Sequence, residues 1–205
     1  MQLIPANNPT FFMKESHITH PDPGNPHFQE LQWISEALRD MRQFRPLYDA
    51  FYKDVYIFVH RRCMHEQHCM DIVSRVFEKA MLNLGKYKYQ GYSFSTWLYR
   101  IAANVTADFF KQQKKEEKLW VRDEGLAEMM AEMNEDAGKE EKITMVLKAV
   151  ADLERSEREL IVMRFFEKRA YAEIASIQNQ SDNYLRVKLN RILNKIKTST
   201  EGRNK

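Results

Sequence analysis

Apolar residues recur along this chain at helical intervals, and nowhere do they alternate as a half-buried strand requires. Leu31, Ile34, Leu38 and Met41 predict a helix over about 28–44. Pro46 then opens a second helix with Leu47, Phe51, Val55 and Phe58 on one face, and Ile72, Val73, Val76, Phe77, Ala80, Met81 and Leu84 mark a third. Past a turn centred on Gly91, a long helix carries two chemically distinct stripes. Leu98, Ile101, Ala102, Val105 and Phe109 form the apolar one, while Arg100, Asn104, Asp108, Lys111 and Lys115 form the polar one. Order resumes at Ile143, with Val146, Leu147, Val150 and Leu153 in register. Ser156 and Glu159 have the spacing of a capping box ahead of Leu160, Ile161, Met163 and Phe165. The stretch YAEIASIQNQSDNYLRVKLNRIL reads as helix, short turn, helix. The pattern therefore predicts an all-α fold.

Charge divides that fold into parts. The net charge is only +3 over 205 residues, but the acids concentrate between Glu116 and Glu141, whereas after Tyr184 basic residues meet only Glu201 in opposition. Two small helical domains joined by an acidic flexible linker account for this segregation. The boundaries read as an N-terminal extension over 1–45, irregular to about Asn25, then a first domain over 46–116. The linker over 117–142, a second domain over 143–198 and a tail over 199–205 follow. The 26 linker residues reach about 85–95 Å when extended, more than the roughly 70 Å between DNA half-sites two turns apart. Two cysteines imply no disulfide framework, and no apolar run is long enough to cross a bilayer. The amino terminus lacks the basic and apolar regions of a secretion signal, so a cytoplasmic protein without membrane insertion is expected.

Two segments carry chemistry suited to nucleic acid. In the helix-turn-helix, Ala175 is small where the second helix crosses the first, Asn179 tolerates the positive φ of the turn, and Ser181 caps the second helix. Gln178 and Gln180 stand where apolar residues are common. Leu185, Leu189, Ile192 and Ile196 supply a buried seam. The opposite face offers Asn183, Tyr184, Arg186, Val187, Lys188 and Arg191 to base edges, with Lys195 and Lys197 expected on phosphates. In the long central helix, Trp97 projects near the polar stripe, with Tyr92 and Phe94 upstream and Lys111, Lys114 and Lys115 downstream. Flat rings beside cations suit capture of single strands.

The segment SFSTWLYRIAANVTADFFKQQKK resembles the promoter-melting part of the extracytoplasmic-function (ECF) sigma factors of bacterial RNA polymerase. LYDAFYKDVYIFVHRR and DIVSRVFEKAM resemble that family's first two helices, and the carboxy-terminal segment resembles its helix-turn-helix domain. The likeness runs from about Pro46 to Ile196 in the family's order. It implies that Tyr92, Phe94, Trp97, Arg100, Asn104, Lys111, Lys114 and Lys115 read and melt the minus-ten element, and that Ser181, Asn183, Tyr184, Arg186, Val187, Lys188 and Arg191 read the minus-thirty-five element. Asp71, Ser74, Arg75 and Phe77 would then dock on core polymerase, although Ser74 and Arg75 replace a Gln-Glu pair common in the family and add a cation. The implied partners are core RNA polymerase, through its clamp helices and flap, promoter DNA, and an anti-sigma factor. The linker would occupy the polymerase's RNA path.

HRRCMHEQHCM gathers His60, Cys63, His65, His68 and Cys69, all metal-competent in type but in no standard zinc spacing, so neither a metal nor another cofactor is expected. A stand-alone helix-turn-helix regulator whose N-terminal half senses a signal through this cluster is the alternative reading. No nucleophile–base arrangement, phosphate loop or apolar carboxylate pair occurs, and an enzyme is not expected.

Overall fold

The computed structural model describes residues 22–63, 65–113, 123–133 and 140–201. The described residues are helical, with no strand among them. Helix α1 (Phe28–Arg39) leads through a short 3-10 turn into α2 (Arg45–His60), where Pro46 sits in the first turn and sacrifices no helical hydrogen bond. Helices α3 (Glu66–Asn83) and α4 (Phe94–Gln113) complete a bundle whose predicted apolar stripes turn inward except at Met41 and Met81, which are exposed. Val55, Phe58, Val76, Leu98 and Ala102 are all essentially inaccessible.

Helix α5 (Asp123–Glu132) lies inside the expected tether. Leu126, Met129, Met130 and Met133 are buried, so residues 123–133 are not an irregular linker but an amphipathic helix docked on the carboxy-terminal half. The stripe is spaced for a helix, and the surrounding acids disguised it. Some of those acids are matched on arrival: Glu128 pairs with Lys168 and lies 4.0 Å from Arg164. Gly125 makes the close approach feasible, since a Cβ there would stand 2.4 Å from Phe166 Cδ1 and 2.9 Å from the Phe165 carbonyl oxygen.

Helices α6 (Glu140–Ala151), α7 (Arg155–Ile161), α8 (Tyr171–Gln178) and α9 (Asp182–Glu201) form the second bundle. After α7 the chain widens into a π-helical turn over Val162–Phe166, closed by the Glu167 N–H donating to Val162 O at 2.9 Å. The expected Ser156–Glu159 capping box is not formed. Glu157 Oε2 instead accepts from the Glu154 N–H at 3.1 Å, and Glu159 is drawn away to Arg62. The buried side chains of the two bundles join into one continuous core.

Candidate nucleic-acid interface

The start of α4 is fixed from outside its own sequence. Glu30 on α1 accepts from the Phe94 N–H at 2.6 Å and from the Ser93 hydroxyl at 3.0 Å, satisfying donors that a helix N-terminus leaves open. This holds the preceding loop against α4 and shapes a concavity of about 210 Å³ bounded by Lys86, Lys88, Tyr92, Trp97, Arg100 and Ser176. Trp97 is half-buried, set edge-on to Tyr87 with ring centroids 5.4 Å apart. Burial raises the Tyr87 phenol above its ordinary pKa and keeps it neutral. Phe94 corrects the sequence expectation: it is 0% exposed, packed between Phe51 and Tyr87, and presents no stacking face. A ring one turn from Trp97 reads the same by type, but its helical position faces the core. Lys86 and Lys88, which the sequence pattern does not single out, join Arg100 as the concavity's cations.

The polar stripe of α4 is partly engaged. Arg100 Nε donates to Ser176 O on α8 at 2.9 Å. Asn104 is exposed and, with Arg100, borders a larger cavity of about 670 Å³ whose far wall includes Gln178, Tyr184 and Lys188. Lys111 is exposed at the end of the stripe. Lys114 and Lys115 lie outside the described residues.

In the helix-turn-helix, Asn179 takes the left-handed conformation at φ 54° that ends α8. Ser181 Oγ accepts from the Tyr184 N–H at 3.2 Å, and Leu185, Leu189, Ile192 and Ile196 are buried as the seam requires. Ser181, Asn183, Tyr184, Val187, Lys188 and Arg191 border one surface concavity of about 340 Å³. Arg186 is absent from that group. Asp182 pairs with it, and its guanidinium lies 4.2 Å from the Tyr171 ring centroid. Lys195 and Lys197 also depart from expectation: Lys195 donates to Glu157 Oε2 at 2.9 Å and Lys197 to Met133 O at 3.3 Å, both directed at neighbouring helices.

On α3, Asp71, Ser74 and Arg75 are exposed, with Arg75 5.7 Å from the Phe109 ring centroid. Phe77 is a second correction. It is 2% exposed beneath Tyr48, whose ring lies 4.6 Å away and is itself 40% exposed. Tyr48 is therefore the accessible aromatic of this face.

The cysteine and histidine cluster is dispersed by its own helices. Cys63 and Cys69 are buried, with Cys69 Sγ donating to Cys63 O at 3.3 Å. Burial, with Cys63 beside it, pushes the Cys69 thiol up to about 12. His60 stacks on Tyr56, and His68 lies against Phe109. Among the described residues no three metal-ligating side chains converge, and no helix is long and apolar enough to cross a membrane.

The family model described as Sigma-70 region 2 matches residues 47–116, the span that holds α2, α3 and α4. The chain is 27% identical over 144 residues to the ECF RNA polymerase sigma factor BldN of Streptomyces coelicolor, covering 70% of this chain and 54% of that protein. It is 26% identical over 141 residues to the RNA polymerase sigma factor SigV of Bacillus subtilis, covering 69% and 81%. The alignment thus spans about half of the first relative and most of the second. Among solved structures, CnrH in complex with the cytosolic domain of CnrY shares the fold at a TM-score of 0.52 and 16% identity, over 83% of this chain and 96% of that one.

Proposed function

We propose, for a chain that belongs to the extracytoplasmic-function sigma factors of bacterial RNA polymerase, that it binds core polymerase, directs it to a bipartite promoter and captures an unstacked base of the opened strand. The observation that carries this reading is the concavity at the start of α4. There Trp97 and Tyr92 stand with Lys86, Lys88 and Arg100, within the span that matches sigma region 2. Aromatic faces and cations in one recess suit a base and its phosphates. A duplex-binding repressor needs no such recess, so the stand-alone regulator is not favoured.

The second contact is assigned to the face of α9 bearing Asn183, Tyr184, Val187, Lys188 and Arg191, where amide, aliphatic and cationic groups meet base edges and phosphates of the minus-thirty-five element. Core polymerase is assigned to α3 through Asp71, Ser74 and Arg75, joined by Tyr48 in place of Phe77. An anti-sigma partner is also proposed, since CnrH, which shares the fold, is solved with the cytosolic domain of CnrY bound. Run-off transcription with purified core enzyme on genomic fragments, followed by start-site sequencing, tests the reading. Discrete starts that require this protein are expected. Nanomolar sequence-specific duplex binding by the free protein, without stimulation of core, would return the regulator.

A further inference from the structure

Helix α1 lies ahead of the span that matches sigma region 2, residues 47–116, and the functional reading gives it no role. Its apolar face is fixed in the first bundle, with Leu31, Ile34 and Ala37 buried, so the polar groups around its start project from a rigid support. They reach the loop before α4 at two points. Asn25 Oδ1 accepts from the Tyr89 hydroxyl at 3.0 Å and from the His27 N–H at 2.8 Å, and the His27 ring stands edge-on to Tyr89 with centroids 6.0 Å apart. Glu30 accepts from the Ser93 hydroxyl at 3.0 Å and from the Phe94 N–H at 2.6 Å. Between these ties the chain turns at Gly91, whose φ of 84° is open to glycine and strained for other residues. The path of the loop is thus set by partners 63 and 64 residues earlier in the chain.

The ties end on the recess itself. Ser93 lines it beside Gln90, Tyr92 and Thr96, and Glu30 decides what the Ser93 hydroxyl can offer there. An ionised carboxylate only accepts, so the one proton of Ser93 points to Glu30. The Ser93 oxygen meanwhile accepts from the Ser95 N–H at 3.2 Å and from the Ser95 hydroxyl at 3.0 Å. Saturated in this way, the hydroxyl presents neither donor nor acceptor to a base. Glu30 also governs the rings. Its second oxygen pins the first residue of α4, about one turn before Trp97. Burial first, and then the charge of Glu30, raise the Tyr87 phenol, which sets Glu30 close to the ring that supports Trp97. The polar wall and the stacking face of the recess both trace to one carboxylate on α1.

We propose that Glu30 is a positioning residue of the base-capturing recess, and that through it α1 and the turn before it set which base the recess accepts. This role rests on the functional reading above and gives part of the N-terminal extension a place in it. Base identity is read by donors and acceptors held in place, and a supporting shell that slackens by about 1 Å degrades such a site. Without Glu30 the Ser93 proton loses its partner and turns toward the recess as a new donor, and the start of α4 is free to shift. Both changes act unequally on the four bases. A role in stability alone would lower activity on all four by one common factor.

Initiation by reconstituted holoenzyme on premelted templates, with each of the four bases placed in turn at each unpaired non-template position, tests this role. The parent should prefer one base at one position, and Trp97→Ala, though active on these templates, should flatten that preference. In Glu30→Ala the ratio between the preferred base and the next should change by about three- to tenfold, the range of one hydrogen bond, with affinity for core unchanged. Glu30→Gln keeps an acceptor for the Phe94 N–H but puts an amide NH2 on the other donor. It should melt close to the parent and still alter the ratio, and it carries the test if Glu30→Ala does not fold. Ser93→Ala removes the hydroxyl that Glu30 restrains, so in that background Glu30→Ala should alter the ratio less. Folded Glu30 variants with the parent's base ratios overturn the assignment, as does a Phe94 amide that exchanges no faster in Glu30→Ala than in the parent. A parent holoenzyme with no base preference at any position, or one whose preference ignores Trp97, fails the functional reading and this role with it, while Phe94 amide exchange still decides whether α1 holds the loop.

Discussion

The surfaces proposed for the minus-ten and minus-thirty-five elements are made in opposite ways. At the start of α4 the reading groups are seated by packing: Glu30 holds the helix terminus, Tyr87 supports Trp97, and Phe94 is buried behind them. On α9 the reading groups project from a helix whose opposite seam is buried. Tyr184 is 49% exposed and Val187 44%. A recess that captures a flipped base needs walls supplied by several segments, whereas a helix entering a major groove needs only a free face. The first surface should therefore be sensitive to changes in its support, and the second mainly to changes in the contacting side chains.

Phe94 and Trp97 test that contrast within one turn of α4, and the largest effect is expected at Phe94. Replacing Phe94 with Ala removes a fully buried ring and should cost about 3–5 kcal/mol of stability in denaturant unfolding, and a premelted template should not repair the damage. Trp97→Ala should leave the fold and polymerase binding intact while losing about 1–3 kcal/mol of stacking, read as failed strand opening that a premelted template rescues. Equal behaviour of the two variants would erase the distinction between support and reader.

These neighbours also show what the chain disclosed. Apart from α5 and the break after Arg39 in the first helix, helix positions, the Asn179 turn, the Ser181 cap and the α9 seam follow from local spacing and residue type, and the fold bears them out. Whether a given aromatic faces the core or the recess depends on where the next helices lie, which explains the misreading of Phe94 and Phe77. Arg62 carried no local signal at all, because its carboxylate partners stand 97 and 105 residues away. Glu159 even carried a misleading one, its spacing from Ser156 suggesting a helix cap. In α5 the Leu126, Met129, Met130 and Met133 stripe was present in the sequence, but acidic composition outweighed it in the reading.

Gly125 sharpens the comparison by asking whether the connection between the two surfaces is slack. The ten residues of α5 span about 15 Å as helix against roughly 33 Å extended, so docking shortens the reach between surfaces. Gly125→Ala drives a Cβ into Phe166 and the Phe165 carbonyl, an overpacking that should cost about 1–3 kcal/mol. Thermal unfolding should show the loss, and limited proteolysis should cut faster near α5. An unchanged melting temperature together with unchanged proteolysis would mean that α5 is not held there in solution.

The smallest effect separates cations that share α9. Arg191 borders the exposed concavity, so Arg191→Ala should lower the slope of log binding constant against log salt by about one unit if it meets a phosphate. Lys195 is turned toward Glu157 at 2.9 Å, and Lys195→Ala should leave that slope unchanged, contrary to the expectation from its charge alone. The hydrogen bond to Glu157 raises the Lys195 ammonium. Burial works to raise the Glu157 carboxyl, but Lys195 and the Glu154 N–H outweigh it and set it below its ordinary value. A depressed carboxyl contributes its stabilisation above the unfolded value of about 4.3 and loses it as pH falls through the lower folded value. The pair should thus persist across pH 6–8, with identical salt slopes throughout. A slope that drops on removing Lys195 would place it on DNA in the complex, and the exposed reading face of α9 would then extend a turn further than its free side chains indicate.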